Sequence, residues 1–424
     1  MNSFSVQHLH AREILDSRGR PTVWAECRLE SGATAAVSVP SGASTGRAEA
    51  CELRDGDPQR YRGLGCRRAA GNVNTAINDA VRGRRFATQA DFDRVLAELD
   101  GTPNLSRLGA NATLAASLAF ARAGALQRGV PLYRHFADLA DLPVRTLPRL
   151  TVNLFSGGKH AGEQAALQDV LLAPVAAASI DDGLAAVVAV YQSAAELILK
   201  KYGQRLLRAD EGGLAPDFPN AEAMLADAVE SIRAAGMKAG AEMALAVDVA
   251  SSHFYRDGRY HLGKTPLEST AMIDQVADWV RRYPLVSVED GLAEDDWAHW
   301  PALRARLAGH SLTLGDDFLC TQPARIARAI EAKAADALLL KVNQVGTLSG
   351  AAEAAARARA AGWKITVSAR SGETEDDWLA DLAVGWGADF IKVGSITQSE
   401  RLAKYNRLLA IEAETGLPLV RLGG

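Results

Sequence analysis

Carboxylates, lysines and an arginine recur in this chain at one kind of place, the polar end of a short apolar run. LAVDVA carries Asp248, VSVEDG carries Glu289 and Asp290, LTLGDD carries Asp316 and Asp317, LLLKVNQ carries Lys341, ITVSARS carries Arg370 and Ser371, and FIKVGS carries Lys392. Three acids from consecutive runs, brought to one point, form an all-oxygen set that suits Mg²⁺ and leaves room for water and substrate. A single acid after a strand is more often a helix cap or turn residue. Repetition in register is what favours Asp248, Glu289 and Asp316 as metal ligands, with Asp290 and Asp317 as supporting or capping groups. Lys341 and Lys392 sit in apolar runs, where an unpaired ammonium is expensive. Beside a metal and other cations a lysine pKa falls, so that it can act as a general base near neutral pH. The blander reading is a lysine paired with a structural acid. Abstraction of a proton next to a carboxylate creates an ene-diolate with two negative charges, which Mg²⁺ neutralises. Arg370 and Ser371 offer a fork and a hydroxyl, a clamp for a phosphoryl group.

Further candidates lie upstream. ADEGGLAP puts Glu211 before a Gly-Gly pair, where backbone can approach a ligand closely, although it is also an ordinary turn sequence. GGKHAG presents His160 in a loop, where a histidine is usually just exposed, and LQD brings Gln168 and Asp169 to the start of the next strand. SGASTGRAEA, from Ser41, is a loop of small and hydroxyl residues that is either a ligand-closing lid or a mobile surface loop.

These groups need a scaffold that makes them converge. From Asp248 onward the polar strand ends are spaced by 41, 27, 25, 29 and 22 residues, with helical stretches such as TAMIDQVADWVRRYP and GAAEAAARARAAGW between them. Those are βα-unit lengths, compatible with a closed barrel or an open parallel sheet. In a (β/α)8 barrel the C-terminal strand ends meet on one face, whereas an open sheet spreads them along an edge. The barrel therefore makes better chemical sense of three acids and two lysines. Upstream, HLHAREIL, TVWAECRLE and TAAVSVP read as strands, and the region from about Arg68 to Phe136 reads as helical. The expected organisation is α/β: an N-terminal α+β domain over 1–140 and a (β/α)8-type barrel over 141–424, the boundary falling in the Pro-containing ADLADLPVRTLPRL.

Composition narrows the partners. With 424 residues and 48% hydrophobic content the chain can build two domains with full cores, and 47 basic against 51 acidic residues create no field for nucleic acid or an anionic membrane. The four cysteines show no zinc or CxxC spacing, which fits reduced thiols. No leader-like N-terminus and no membrane-spanning apolar run is read from the sequence, so the expected location is the cytoplasm.

The motifs REILDSRGRPTV, VPSGASTGRAEA, LGANATLAASLA, SGGKHAG, DEGGLAP, VSVEDGLAEDDW, LGDDF, LLLKVNQVGTL, SARSGETEDDWLADLAVG and RLAKYNRLLAIE, in this order, resemble the enolase family from end to end. The resemblance implies a modified (β/α)8 barrel behind an α+β domain, commonly in dimers or octamers. It also implies a small phosphorylated acid as substrate and Mg²⁺ as cofactor. By the same resemblance Asp248, Glu289 and Asp316 hold the first Mg²⁺ and Ser41 helps bind a second. Lys341 removes the C2 proton and Glu211 protonates the departing C3 hydroxide. Arg370 and Ser371 hold the phosphate, Lys392 and Gln168 the carboxylate end, and His160 lies beside the substrate.

Departures from the family pattern accompany the match. Ala369 stands where the family has a histidine, Asp169 where it has a glutamate working beside Glu211, and Lys159 where it has a serine. These changes are compatible with a larger or more anionic substrate. Trp24 and Ala410 replace the two charges of an ion pair across the family's dimer interface, so a dimer is expected with an apolar contact there. Three readings follow: conversion of 2-phospho-D-glycerate to phosphoenolpyruvate, the same chemistry on a related phosphonate or phosphoryl acid such as one forming carboxyphosphonoenolpyruvate in phosphonate antibiotic biosynthesis, or a non-catalytic scaffold. The retained acids and Lys341 argue against the last.

Overall fold

The computed structural model of the protein describes residues 3–161, 167–204 and 206–421, the side chains of residues 160 and 161 excepted. The chain begins with an antiparallel meander of β1 (Phe4–Leu15), β2 (Pro21–Leu29) and β3 (Thr34–Ser38). Asp16 makes the first turn, its Oδ1 accepting the backbone N–H groups of Arg18 and Arg20. Three helical pieces follow, α1 (Arg67–Asn72), a π-turn at Val73–Ile77 and α2 (Asn78–Val81). The stretch expected to be helical throughout is then interrupted by β4 (Arg85–Phe86), which pairs with the start of β1 and completes a sheet of order β3-β2-β1-β4. Only two residues long, it carries no alternation that a sequence pattern could register.

Helix α3 (Gln89–Asp100) is capped by the Thr88 hydroxyl, α4 (Ala110–Arg128) follows, and α5 (Leu132–Leu139) ends this part of the chain. From Ala110 to Ala121 every residue of α4 is buried. It runs between the sheet and the second half of the molecule, with the Thr113 hydroxyl donating to Gly346 O and the Ser117 hydroxyl accepting from Leu348 N. A helix covered all round needs no polar face, and alanine lets both neighbours come close.

The remainder is a closed eight-stranded barrel. Its strands are β5 (Arg149–Ser156), β6 (Asp169–Ala173) and β7 (Ala244–Asp248), then, after the small hairpin β8 (Tyr255–Arg256) and β9 (Arg259–Tyr260), β10 (Leu285–Glu289), β11 (Leu312–Gly315), β12 (Ala337–Leu340), β13 (Lys364–Ser368) and β14 (Phe390–Gly394). Outside them lie α6 (Ile180–Tyr202), α7 (Ala221–Ala234), α8 (Ser269–Arg282), α9 (Trp300–Leu307), α10 (Pro323–Glu331), α11 (Leu348–Ala360), α12 (Trp378–Gly385) and α13 (Ser399–Thr415). The barrel departs from strict alternation at its start: among the described residues no α-helix separates β5 from β6, β6 runs antiparallel to both β5 and β7, and two helices, α6 and α7, precede β7. Its first residue therefore lies at the rim where its neighbours end, with Asp169 opposite Asp248 on one side and Ser156 on the other.

Helix α6 is long and apolar enough to cross a membrane by length and composition. It buries Ile180, Leu184, Val187, Tyr191, Ala194 and Ile198 at helical spacing, the pattern of a helix packed by one face on a barrel.

Candidate active site

Three carboxylates rise from adjacent strands at the rim. Glu289, the last residue of β10, is paired in register with Asp248 on β7, and Asp316 directly follows β11. All three are buried. Lys392, from β14, places Nζ 2.9 Å from Asp248 Oδ2 and 2.7 Å from Glu289 Oε2. Gln168 Nε2 donates to the same Asp248 oxygen at 3.0 Å, and Lys341 Nζ lies 2.5 Å from Asp316 Oδ2.

Electrostatics at the rim follow from burial and pairing. Burial pushes the Asp248 carboxyl up, but Lys392 outweighs it and holds Asp248 at about 2. Glu289 goes the other way, raised well above its usual range by burial and by neighbouring Asp248. Both lysines suffer burial that favours the neutral amine. Asp248 and Glu289 override it at Lys392, and Asp316 overrides it at Lys341, so both pKa values are raised. In this arrangement Asp316 is the direct partner of Lys341 and favours its ammonium form.

Asp290 is placed by backbone geometry. Its φ of +44° turns the chain sharply after β10, and its two carboxylate oxygens accept the backbone N–H groups of Asp316 at 2.9 Å and Asp317 at 2.8 Å. A carboxylate oxygen from each of Asp290, Asp316 and Asp317 lies within 4.8 Å of the others, and all three residues are buried. Burial and the Asp316 charge push Asp317 up to about 8; burial and the charges of Asp317 and Asp316 push Asp290 well above the usual range. Such a concentration of acid fits a divalent cation. So does Glu289 Oε1, a buried oxygen with no hydrogen-bond partner among the described residues.

Next to Asp248 on the rim, Glu211 Oε2 accepts from Asn153 Nδ2 at 3.0 Å and Asp169 Oδ1 from the Ser156 hydroxyl at 2.5 Å. Gly212 has a φ of +86°, and a Cβ on Gly213 would stand 2.4 Å from the Ser156 hydroxyl, so the Gly-Gly pair is what lets Glu211 approach. Lys159 is exposed on the short 3-10 turn Gly158–Ala161; His160 lies on the same turn, its side chain outside the described residues.

Arg370 and Ser371 follow β13 and are buried beneath the loop that begins at Ser41. Ala43 N donates to the Ser371 hydroxyl at 2.7 Å, and Arg370 Nη2 donates to Ser44 O at 2.7 Å. Gln168, Glu211, Asp248, Lys341, Arg370, Ser371 and Lys392 share one small cavity, which Ser44 and Ala369 also line. Ser41 does not line this cavity: its hydroxyl is turned to Glu52 and Arg54 and its backbone pairs with Gly372, whereas Ser44 of the same loop does line it, its hydroxyl 2.9 Å from His253 Nε2.

Sequence reasoning missed several residues that hold this arrangement. Arg401, wholly buried on α13, donates to the carbonyls of Arg370, Ser371 and Val393 at 2.7, 2.6 and 3.0 Å. Arg18 Nη1 donates to the Ser371 hydroxyl at 3.0 Å, and Gln344 Nε2 to Asp316 Oδ1 at 2.9 Å. Arg18 and Arg401 sit at the end of no apolar run, the signal that identified the others, and in LLLKVNQ that signal drew attention to Lys341 and not to Gln344. Trp24 is half-buried with Arg12 stacked over its ring at 4.2 Å, and Ala410 is exposed on α13.

Two family profiles match the chain in sequence. Residues 6–136 match the profile described as "Enolase, N-terminal domain" and residues 144–420 the one described as "Enolase, C-terminal TIM barrel domain". With matches over nearly the whole length, a barrel closed by one reversed strand and a ring of acids and lysines at its rim, the chain belongs to the enolase family.

Proposed function

We propose that the protein is a Mg²⁺-dependent lyase that removes the proton α to a carboxylate and eliminates water, converting 2-phospho-D-glycerate to phosphoenolpyruvate. The observation that carries this reading is the convergence of Lys341, Glu211, Gln168, Lys392 and Arg370 on one cavity. Asp248, Glu289 and Asp316 would hold Mg²⁺, which supplies positive charge against which a C–H next to a carboxylate becomes acidic. Lys341 Nζ takes the C2 proton. To do so it must first be neutral, and it becomes so only when Asp316 spends its charge on something other than the ammonium. Glu211, with Asp169 beside it, gives a proton to the C3 hydroxyl, which leaves as water while the C2 electron pair forms the double bond. Lys392 and Gln168 orient the carboxylate end, Arg370 and Ser371 the phosphoryl end. His160 is proposed beside the substrate on the strength of the family pattern alone.

Ala369 favours a second reading. It lines the cavity with a methyl group beside Arg370, a smaller side chain than the family's histidine, which suits a larger phosphonate or phosphoryl acid undergoing the same enolisation once the loop above lifts. Assembly as a homodimer, with Trp24 at the contact, is part of the proposal and is checked by light scattering.

The deciding experiment follows enol absorbance after mixing the protein, Mg²⁺ and 2-phospho-D-glycerate, with Lys341→Ala as control. Rapid, Lys341-dependent product formation supports the first reading. Its absence, with turnover of a phosphonate analogue, supports the second. Undiminished activity in Lys341→Ala on the true substrate refutes both.

A further inference from the structure

Arg370, read above as the phosphoryl-binding group, already carries an anion of the protein's own. Nη1 donates to Glu49 Oε2 at 3.0 Å and to Asn343 Oδ1 at 2.9 Å. Nη2 donates to Ser44 O at 2.7 Å and to Glu49 Oε1 at 3.2 Å. Both hydrogens on each terminal nitrogen are therefore engaged, and Glu49 meets the guanidinium with both oxygens, the way a carboxylate or phosphoryl group binds arginine. The loop is packed hard onto this pair: a Cβ on Gly42 would stand 1.9 Å from Arg370 Nη2. The cavity beneath measures about 10 Å³, room for about one water and not for an organic acid. Glu49 is also tethered, its Oε1 accepting from Gly46 N at 3.0 Å and Gln344 Nε2 at 3.3 Å, while Ala50 N donates to Gln344 O at 2.8 Å.

We propose that Glu49 is the resident counter-anion of Arg370, an internal stand-in for the phosphoryl group that a substrate must displace. The inference rests on the phosphoryl-binding role assigned to Arg370 in the proposed function. A buried guanidinium needs a partner, and Glu49 provides one while the loop lies shut. It also sets the charge an incoming acid must bring. A simple carboxylate carries no more charge than Glu49 and lacks its tether, so it loses the competition. A phosphoryl or phosphonate dianion brings a second charge and a third oxygen, and it wins. The specificity-determining contact at this end of the site is thus partly an exclusion.

The test is calorimetric titration of the full chain with inorganic phosphate, in slightly alkaline Mg²⁺ buffer, and separately with acetate. Glu49→Gln keeps the shape and removes the charge. Because its guanidinium has lost its counter-charge, this variant binds phosphate at least about ten-fold more tightly than the wild type and gains measurable acetate binding. Glu49→Asp, too short to span both nitrogens, shows a smaller rise. Phosphate affinity unchanged or weakened in both variants overturns the proposal, as does absence of phosphate binding in wild type and variants alike. The assay needs no turnover, so the two readings fail separately. Tighter phosphate binding by Glu49→Gln without enol formation refutes the lyase reading alone, and enol formation with phosphate affinity indifferent to Glu49 refutes the counter-anion alone.

Discussion

Replacing Lys392 by methionine removes the ammonium that bridges two buried carboxylates. Its ammonium makes charge-assisted hydrogen bonds of 2.9 Å to Asp248 and 2.7 Å to Glu289. Two such bonds are worth roughly 3–6 kcal/mol together, and breaking a buried ion pair by deleting one partner costs about 3–5 kcal/mol. Lys392→Met should therefore destabilise the metal-free protein by about 4 kcal/mol. The pH dependence has a definite sign. In the wild type the Lys392 pKa is raised above its ordinary 10.5, so its contribution is complete below that value and is lost only as pH rises through the folded value. In the variant only the Gln168 hydrogen bond and the Lys341 charge oppose the effect of burial on Asp248, so its carboxyl moves up, and Glu289 stays above its usual range. A carboxyl with a raised folded pKa costs stability as pH rises past its unfolded value, so the deficit is largest at neutral and alkaline pH and shrinks toward acid. Mg²⁺ replaces the missing positive charge if these acids are its ligands, so it too narrows the gap. Urea unfolding followed by tryptophan fluorescence, in EDTA and in Mg²⁺, measures both effects. Wild-type stability of the variant in EDTA, or a deficit that Mg²⁺ leaves unchanged, refutes the reasoning.

Three other substitutions probe the site. Asp290→Asn turns an amide N–H toward one of the two backbone donors at Asp316 and Asp317; Mg²⁺ affinity should fall by about 10–100-fold by calorimetry, as for a residue that holds the ligands themselves in place. Arg401→Met strands the carbonyls of Arg370, Ser371 and Val393 and should cost about 3–5 kcal/mol in urea midpoint analysis, with KM for the phosphorylated acid rising more than kcat falls. Ala369→His places an imidazole beside Arg370; a rise in activity on 2-phosphoglycerate identifies the alanine as a specificity determinant, and no rise at all removes it from that role.

Much of the scaffold was legible because its signals are local. Apolar runs of four or five residues ending in a polar group mark β7 and β10 to β14, and their spacing implies βα units, so the acids and lysines at their ends could be named without coordinates. The reversal of β6 was not legible in this way, since a short buried strand reads the same in either direction. Yet that reversal puts Asp169 at the rim. The two-residue β4 lacked a period to detect, and that Ser44 rather than Ser41 lines the cavity depends on how the loop is seated.

The sequence by itself determined which residue types stand at the strand ends, because burial period and chain spacing are written along a single strand or helix, and its motifs carried the resemblance to enolases. Only the tertiary structure decided what those groups face. Lys392 spans 144 residues to reach Asp248, and Arg370 spans 321 to meet Glu49. The direction of the Lys341 shift, the support of Arg401 and the anion already seated on Arg370 arise from closure of the barrel and the seating of a loop on its mouth. A charge's environment is set by neighbours in space, and here those neighbours are among the most distant in the chain.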